Sequence, residues 1–336
     1  MASSPDVIII GAGVLGLCTA AELAVRGHVV TVIDPGGANA SSIAAGMIAP
    51  ALECLLEEVS DDRAALLKRA RDLWPAFAEV HGLTLLREGA DWRGPEAGAA
   101  VARLLALGFD ARPSPGGLTT ADDWRIEVAP ALKALARTPG LTVVRGQVER
   151  LAGDTRRWRV EASDGRVWFS STVVLATGTG EPIAGLADTV AASVAAIMPV
   201  RGQLTFVATA APPRVIRGQG VYVAPCDGGV VIGATMEPGR RDLEPDPAEG
   251  ARQVAAGLAL LGVTGEAGLT RVGIRGATVD GLPLAGRSGE PGLHLALAPR
   301  RNGWLMGPLV GQITADGIEG REPMADAAAL DPLRFA

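Results

Sequence analysis

The chain has 336 residues, of which 48% are hydrophobic and 20% are charged, a composition typical of a soluble globular protein. This length predicts about two domains, each with its own core. The net charge of -6 and the absence of a basic stripe predict that nucleic acid is not a partner. No apolar run reaches the roughly 18 residues that cross a bilayer, so we expect no membrane association.

The cysteines and histidines show no pattern of a metal or redox site. Cys18, Cys54 and Cys226 are the three cysteines, and because their spacing fits neither use, we expect no metal and a reducing, cytoplasmic setting. The first strand begins after five residues, which predicts that no signal peptide precedes it. With only three histidines in the chain, we do not expect chemistry that depends on a histidine base.

The stretch 6–34 predicts a β–α–β unit. Residues 6–10 form an apolar, β-branched run typical of a strand buried on both faces. A glycine-rich turn follows at once, and a helix then extends to Arg26, with Gly27 as its stop signal. Residues 28–33 predict the second strand, which ends in an acid.

This unit has the residues that hold a dinucleotide. Gly11 permits the tight turn, Gly13 lets a pyrophosphate approach the backbone, and Gly16 lets helix and strand pack closely. The helix amino terminus offers free N–H groups and a partial positive charge to the phosphates. Asp34 stands at the end of the second strand, where it can accept hydrogen bonds from the adenosine ribose. The motif by itself does not separate FAD from NAD.

The segment 38–47 follows this unit and is rich in small and hydroxyl-bearing residues. Ser41 and Ser42 can donate to phosphate oxygens, and the small residues 44–46 leave space for a flat ring. An ordinary serine cap at a helix start is an equal alternative.

The rest of the chain predicts helices and strands in turn. Helices are predicted over 61–81, 95–107, 129–136, 247–261 and 303–318, and strands over 141–144, 158–169 (a hairpin that turns at Asp164-Gly165), 172–177, 200–207, 220–225, 230–234, 270–274 and 293–297. The β-rich stretch from Met198 predicts a mostly antiparallel unit inserted into the dinucleotide fold, to which the chain returns through 270–274 and 293–297. The glycine turn 178–180 suits close approach to the cofactor, and a simple strand exit is the alternative.

Short stretches in a fixed order along nearly the whole chain resemble a known family. They are GAGVLG (11–16), ASSIAAGMIAP (40–50), LATGTG (175–180), PVRGQ (199–203), VYVAP (221–225), VVIGATMEPG (230–239), GIRGATVDGLP (273–283) and RNG (301–303). In them the chain resembles the D-amino-acid-oxidase-type flavoproteins, and most closely the glycine oxidases of thiamine biosynthesis.

The resemblance implies an α/β fold with a Rossmann-like FAD-binding domain, of the glutathione-reductase type, and an inserted, mainly antiparallel β-sheet substrate domain. We expect the FAD-binding domain in 1–84, 120–197 and 268–336 and the substrate domain in 85–119 and 198–267. The implied cofactor is FAD, bound non-covalently, with its isoalloxazine ring at the domain junction. The residues expected at the cofactor are Gly11, Gly13, Val14, Leu15, Gly16, Asp34, Ser41, Ser42, Ala45, Gly46, Met47, Val148, Thr177, Gly178, Gly180, Arg301, Asn302, Gly303 and Trp304.

The resemblance also implies the oxidation of a small amino acid to its imine, by hydride transfer from the α-carbon to flavin N5. Glycine is the first expected substrate, followed by sarcosine and small D-amino acids. O2 would reoxidise the flavin and give H2O2, and water would hydrolyse the imine unless a thiazole-forming partner captured it. The alternatives are a dehydrogenase with a non-oxygen acceptor, a non-catalytic flavin-binding subunit of a complex and, less favoured, an NAD-dependent dehydrogenase. A homo-oligomer is one option that the sequence leaves open.

Three side chains are expected at the substrate. An arginine grips a carboxylate best, because its planar fork makes two parallel charge-assisted hydrogen bonds, and Arg275 occupies the arginine of the family's G-[LI]-R stretch. Tyr222, the only tyrosine, stands where the family places a substrate-contacting tyrosine. Arg301 precedes Asn302-Gly303 at the start of the last helix, and the resemblance places it near the substrate or the ring. The alternatives are a surface salt bridge for Arg275, a core strand residue for Tyr222 and a solvated pair with Arg300 for Arg301.

The chain departs from the family pattern at two points. Gly276 stands where the family usually has proline, and Ala298-Pro299-Arg300 replaces a common Gly-His pair. The second change lies where the access of oxygen to the flavin is tuned.

Overall fold

The computed structural model describes residues 5–57, 59–153 and 157–335. Its strands, in chain order, are β1 (Val7–Ile10), β2 (Val30–Asp34), β3 (Met47–Ile48), β4 (Leu85–Leu86), β5 (Ala90–Arg93), β6 (Arg112–Ser114), β7 (Gly117–Thr120), β8 (Trp124–Ile126), β9 (Leu141–Arg145), β10 (Val148–Gly153), β11 (Trp158–Ala162), β12 (Val167–Ser170), β13 (Thr172–Leu175), β14 (Met198–Ala208), β15 (Val215–Gly218), β16 (Val221–Cys226), β17 (Gly229–Gly233), β18 (Glu237–Pro238), β19 (Glu266–Ala277), β20 (Leu284–Arg287) and β21 (Leu293–Leu297).

The helices connect and cover these strands. They are α1 (Val14–Val25), α2 (Ala40–Ile43), α3 (Pro50–Glu57), α4 (Asp61–Asp72), α5 (Trp74–Val80), α6 (Ala97–Ala106), α7 (Val128–Leu135), α8 (Asp188–Ala195), α9 (Pro247–Leu261), α10 (Gly303–Glu319), α11 (Ala327–Leu330) and a 3-10 helix (Pro332–Phe335). Among the described residues, no helix is both long and apolar enough to cross a membrane.

A mostly parallel sheet carries the dinucleotide-binding unit. Its six strands lie in the order β20-β21-β13-β1-β2-β9, and β1 pairs in parallel with both β2 and β13. All four side chains of β1 are buried, as expected for a central strand covered on both faces. α1 and α10 pack together, and a side chain at Gly307 or Gly311 would collide with Cys18. The predicted Rossmann-like unit is therefore confirmed.

A second, larger sheet is mainly antiparallel. Eight of its strands lie in the order β18-β14-β17-β16-β15-β5-β7-β6, and β19 pairs with β14 beside them. α9 covers one face of this sheet, where Gly257 lies against Ile232 and Val254 joins the buried cluster. The opposite face lines a cavity. Two small three-stranded sheets, β10-β11-β12 and β3-β8-β4, complete the β structure.

Two of the sequence expectations differ from the structure. The helix predicted over 61–81 is two helices, α4 and α5, because Pro75 lies in the first turn of α5, and a proline lacks the N–H that would continue a helix. The strand predicted over 270–274 does not return to the first sheet. It is the longer β19, which pairs along β14 in the large sheet.

Several short elements were not expected from the sequence. They include β3 to β8 and the helices α3 and α8, whose lengths are too short for a periodic pattern to show. The hairpin of β11 and β12 was expected, and it turns at Asp164-Gly165 as predicted. The division of the chain into two domains stays a prediction.

Candidate active site and cofactor cavity

The connection of β1 to α1 is so tight that only glycine fits at two positions, Gly11 in the turn and Gly16 in the first turn of α1. Gly11 has a φ of 112°, and a Cβ built there would lie 2.3 Å from the carbonyl oxygen of Ala176. A Cβ at Gly16 would lie 2.1 Å from the carbonyl oxygen of Gly11. These two contacts hold α1 close to the sheet and leave its amino terminus, capped by Gly13, open to the cavity beyond the strand ends.

A single serine reaches the start of α1. The backbone N–H of Val14 donates to Ser41 Oγ at 2.9 Å, so the Ser41 hydroxyl proton is left to point at a ligand. Ser42 does something else: its hydroxyl and backbone N–H form a reciprocal capping box with Asn39. Ser41 therefore lines the cavity. Ser42 takes part in the capping box of α2, whose N-cap is Asn39, and its expected role at the cofactor stays a prediction.

Asp34 closes the far end of the same unit. Its Oδ2 accepts from the backbone N–H of Ala12 at 2.7 Å and its Oδ1 accepts from that of Gly36 at 2.7 Å. Each carboxylate oxygen has a second lone pair, so the group still has acceptor positions for ribose hydroxyls. The two bonds also fix the carboxylate at the edge of the glycine turn.

These groups surround a cavity of about 420 Å³. The expected cofactor residues that line it are Gly11, Gly13, Val14, Leu15, Asp34, Ser41, Val148, Thr177, Gly178, Gly180, Arg301, Gly303 and Trp304. A helix amino terminus, a serine hydroxyl beside it and an acid at the strand end match the pyrophosphate and ribose of a dinucleotide. The residues present therefore fit FAD. Gly16 supports the turn from behind without lining the cavity.

A second cavity, of about 310 Å³, adjoins the first. The two share six lining residues, which are Ala40, Ala44, Gly273, Arg275, Arg301 and Trp304. The second cavity also contains the expected residues Ala45, Gly46, Met47, Asn302 and Tyr222. It is bounded by β14, β16, β17 and β19 of the large sheet and by α3. We call it the substrate cavity.

Arg275 lies in the substrate cavity without an acid to balance it. Its Nη1 donates to the carbonyl oxygen of Thr235 at 3.2 Å and contacts Met236 Sδ at 2.8 Å, and no carboxylate of the described residues pairs with it. Its guanidinium fills the space over Gly202, where a Cβ would come within 2.7 Å of it. Burial lowers the pKa of Arg275, although Tyr222 opposes this. Arg275 therefore does not form the surface salt bridge that was the alternative.

Tyr222 lies in the same cavity, on β16. Its hydroxyl sits 3.1 Å from where a Cβ of Gly233 would be, and within the described ranges it has no hydrogen-bond partner. Burial raises the pKa of Tyr222, and the nearby cations Arg275 and Arg217 partly offset this rise. The hydroxyl is thus a protonated donor that faces the cavity between two arginines.

Arg301 is held by acids of α3. Its Nε donates to Glu53 Oε1 at 2.5 Å, and its Nη2 lies 3.0 Å from Glu57 Oε1. Burial acts to raise the pKa of Glu53, but Arg301, Arg217 and the hydrogen bonds from Arg301 and Asn302 outweigh it, so the pKa of Glu53 is lowered. The neighbouring Arg300 pairs with Glu57 as well. Arg301 therefore lines both cavities as a paired cation, neither free nor part of a solvated pair.

Two charged residues of the substrate cavity were not expected from the sequence. Glu53 is 4% exposed and Arg217 is 7% exposed. Arg217 lies opposite Tyr222 across β15 and β16, so their side chains share one face of the sheet. Neither residue lies in a motif. A charged side chain in an otherwise apolar strand, such as Arg217 in Val215–Gly218, is the only signal that the sequence offered.

The comparisons with known proteins agree with this geometry. The sequence model of the DAO family, described as FAD dependent oxidoreductase, matches residues 6–317. The chain belongs to this family. It is 30% identical to the glycine oxidase of Geobacillus kaustophilus over 98% of this chain and 97% of that protein. The crystal structure of glycine oxidase from the same organism matches with a TM-score of 0.81 at 26% identity and covers 98% of this chain and 99% of that one.

Two further matches show how widely this family's fold is used. The tRNA 5-methylaminomethyl-2-thiouridine biosynthesis bifunctional protein MnmC of Burkholderia multivorans is 28% identical over 99% of this chain but only 60% of its own length. The structure of iminodiacetate oxidase from Chelativorans sp. BNC1 matches with a TM-score of 0.81 at 23% identity, covering 97% of this chain and 98% of that one. At that identity the second match shows the fold alone.

Membership of the DAO family confirms the cofactor and the class of enzyme. FAD is the cofactor of this glycine-oxidase-like oxidoreductase, which is an enzyme of the amine and amino-acid oxidase type. The resemblance expected from the sequence is confirmed, and so is the α/β fold of the FAD-binding type with its antiparallel sheets. A small amino acid is the class of substrate that the glycine oxidase relatives imply.

Proposed function

We propose that this FAD-dependent enzyme oxidises glycine, or a closely related small amino acid such as sarcosine or a small D-amino acid, to the imine, and that O2 is the electron acceptor. The observation that carries the proposal is Arg275. A guanidinium without a carboxylate partner lies in a cavity that adjoins the cofactor cavity, and an amino acid supplies the missing carboxylate.

The side chains divide the binding work. Arg275 would hold the substrate carboxylate through two parallel hydrogen bonds, and the Tyr222 hydroxyl would donate a third. The residues of the adjoining cavity would hold FAD non-covalently, and the bound FAD would supply the redox chemistry that couples oxidation of the substrate to reduction of O2 to H2O2. The amino terminus of α10, at Gly303 and Trp304, lines the cofactor cavity and would stabilise negative charge there.

The cavity offers no evident general base. None of the described residues that line it is a histidine, and its carboxylate, Glu53, is held by Arg301 and Asn302 with a lowered pKa. A group so placed accepts protons poorly. The substrate amine would therefore bind in its neutral form, so the reduction of the flavin should rise with pH until the amine is fully deprotonated.

The product and the pathway are part of the same proposal. Water would hydrolyse the imine to the oxo acid and ammonia, unless a thiazole-forming partner captured it in the synthesis of thiamine. The cytoplasmic setting and a homo-oligomeric state stay predictions from the sequence.

Anaerobic mixing with substrate tests the proposal. Purified holoprotein is mixed in turn with glycine, sarcosine and D-alanine while the visible absorbance of oxidised flavin is followed, and O2 is then admitted and the peroxide counted. We expect bleaching by at least one of the three and one H2O2 per turnover. Bleaching without peroxide would mean a dehydrogenase with another acceptor. A flavin that none of the three amines reduces would contradict the proposed substrates and favour a non-catalytic subunit.

A further inference from the structure

Arg217 is a buried cation of the substrate cavity that the proposed function leaves without a role. Its side chain is 8% exposed, and it lines the cavity together with Arg275 and Tyr222. Across the described ranges it donates no hydrogen bond, and its single ion pair is a long one, 3.7 Å from Nη2 to Glu53 Oε2. A guanidinium has five N–H donors, and leaving them unpaired in a buried place is costly. The missing acceptor therefore comes from outside the chain.

Glu53 fills this need only in part, because its Oε1 accepts from Arg301 and Asn302 while its Oε2 lies 3.7 Å from Arg217, beyond hydrogen-bond distance. Arg301 Nε reaches it at 2.5 Å and Asn302 Nδ2 at 3.2 Å, both closer than Arg217. The other nearby acid is Asp123, and its two oxygens accept the backbone N–H groups of Ala51 and Leu52 at the start of α3. Asp123 forms no ion pair with Arg217 among the described residues. Burial raises the pKa of Asp123 to about 7, so it is a weak counter-charge.

The charges of the cavity lining leave room for two anionic groups. The charged residues that line it are three arginines and one glutamate. Arg301 has short ion pairs with Glu53 and Glu57, whereas Arg217 has only its long contact with Glu53 Oε2 and Arg275 has no carboxylate among the described residues. A substrate with one carboxylate would satisfy one of these two cations and leave the other buried without a close carboxylate.

Arg275 and Arg217 lie at opposite sides of one face of the large sheet. Arg217 pairs across the strands with Tyr222, and Tyr222 pairs with Gly233. The guanidinium of Arg275 covers Gly202 on β14, which neighbours the strand of Gly233. Three inter-strand steps, about 14 Å of sheet, therefore separate the strand of Arg217 from the strand that Arg275 covers. The absent side chains of Gly202 and Gly233 leave room for the Arg275 guanidinium and the Tyr222 hydroxyl. Because Arg217 and Arg275 reach over this face from its two sides, a small ligand between them can have one end at each arginine.

We propose that the substrate of this enzyme is an amine that carries two carboxylates, one held by Arg275 and Tyr222 and the other by Arg217. The proposal rests on the proposed function and narrows its substrate class from small amino acids in general to diacids. The second carboxylate can stand on the nitrogen substituent or on the side chain of a D-amino acid. In both cases the planar fork of Arg217 supplies the second pair of charge-assisted hydrogen bonds.

Binding of unreactive ligands tests the site apart from catalysis. Diglycolate has two carboxylates on an ether oxygen and methoxyacetate has one, and neither has an amine to oxidise. Calorimetry on the wild-type holoprotein should give diglycolate an affinity about 30-fold higher, the effect of one charged hydrogen-bonded pair. Equal affinities in the wild type would overturn the proposal, whatever the variants do.

Variants assign the effect to Arg217. Arg217→Gln should bring the ratio of the two affinities close to one, and Arg217→Lys should give an intermediate ratio, since it keeps the charge but loses the fork. The matched control is Arg214→Gln, at a residue that precedes β15, has a side chain 34% exposed and lines neither cavity. The control should keep the wild-type ratio. A preference for diglycolate that survives Arg217→Gln would overturn the assignment.

Turnover locates the second carboxylate and separates this proposal from the first one. N-(carboxymethyl)glycine is compared with its monoamide, and D-aspartate with D-asparagine, by kcat/KM for flavin reduction. We expect one pair to favour the diacid about 30-fold and Arg217→Gln to remove that preference. Reduction by glycine with no preference in either pair would overturn the diacid proposal and leave the proposed function standing. No reduction by any amine, with diglycolate still preferred, would overturn the proposed function and support the two-carboxylate site.

Discussion

The cofactor cavity and the substrate cavity adjoin each other and are built in opposite ways. The cofactor cavity is formed mainly by backbone: glycines that admit no side chain, the open amino terminus of α1 and one acid fixed by backbone N–H groups. The substrate cavity is formed by long charged side chains from β15, β19, α3 and the start of α10. They lie over Gly202 and Gly233, where the absence of a side chain leaves room for the Arg275 guanidinium and the Tyr222 hydroxyl.

This difference has consequences for what each cavity tolerates. Backbone groups that bind phosphate cannot be exchanged by single substitutions, so the cofactor cavity is sensitive to steric change and insensitive to charge. The substrate cavity is sensitive to charge, because ligand binding there depends on which guanidinium groups lack a carboxylate partner within the chain. Arg301 has two acids within 3.0 Å, whereas Arg275 has none among the described residues. Arg275 is therefore available to a substrate carboxylate.

The largest expected effect is on the cofactor side. Gly16→Val would force a side chain into the carbonyl oxygen of Gly11, where even a Cβ comes within 2.1 Å. We expect a loss of about 3 kcal/mol or more in the free energy of unfolding and no bound FAD. Chemical denaturation and the flavin content of the purified protein measure both.

A glycine in open surroundings is the control for that change. Gly98 lies in α6, is exposed and has no atom within 4 Å of a built Cβ. Gly98→Ala should keep FAD and stabilise the protein slightly, by up to about 1 kcal/mol. Retention of FAD in Gly16→Val would show that the turn is less constrained than the structure indicates.

On the substrate side, Arg275→Ala should have the largest effect. Removing the unpaired guanidinium takes away the partner of the substrate carboxylate, so we expect kcat/KM for the best amine to fall at least ~100-fold while FAD stays bound. Stopped-flow reduction of the flavin measures the change. Arg271→Ala is the matched control, because Arg271 lies on the same strand, is exposed and lines neither cavity. An unchanged rate in Arg275→Ala would end its assignment as the carboxylate clamp.

A smaller effect is expected at Tyr222. Tyr222→Phe removes one hydroxyl donor and leaves the ring in place, so kcat/KM should fall about 10-fold, as expected for one hydrogen bond to a charged group. The loss should appear mainly in KM, because the bond is made to the carboxylate and not to the reacting carbon. If Tyr222→Phe and wild type have the same KM, the hydroxyl does not contact the substrate.

The smallest expected effect concerns pH and stability. Burial raises the pKa of Asp123 to about 7, against the lowering influence of Arg217 and of two backbone N–H groups. Between about pH 4 and pH 7 the folded protein therefore keeps a proton that the unfolded chain has lost. Asp123 thus makes the free energy of unfolding fall as the pH rises through this range, and its contribution is flat above it.

Asp123→Asn should remove that slope. The free energy of unfolding of wild type and variant is measured by denaturation from pH 4 to pH 8. The variant should become more stable relative to wild type as the pH rises. Asp227→Asn, at an exposed turn residue, should show no such trend. A pH-independent difference for Asp123→Asn would mean that the carboxyl group is ionised throughout.

The sequence by itself determined the parts of the molecule that local rules govern. Gly11, Gly13, Gly16 and Asp34 lie in one continuous β–α–β unit, so their spacing was enough to predict the dinucleotide cavity. The α9 helix was predicted with its observed bounds, 247–261, because its apolar periodicity, Asp246 and Pro247 at its start and Gly262 at its end are all local signals.

The tertiary structure alone decided how the substrate cavity is charged. Glu53, Arg217 and Arg301 are far apart in the chain, and only the packing of α3 against the large sheet and the start of α10 brings them together. The same holds for β19, whose partner β14 lies some 70 residues earlier, so no local pattern told which sheet it would join. Which distant segments pair depends on the whole fold. That fold gives Arg301 two close carboxylates and leaves Arg275 and Arg217 without a close one.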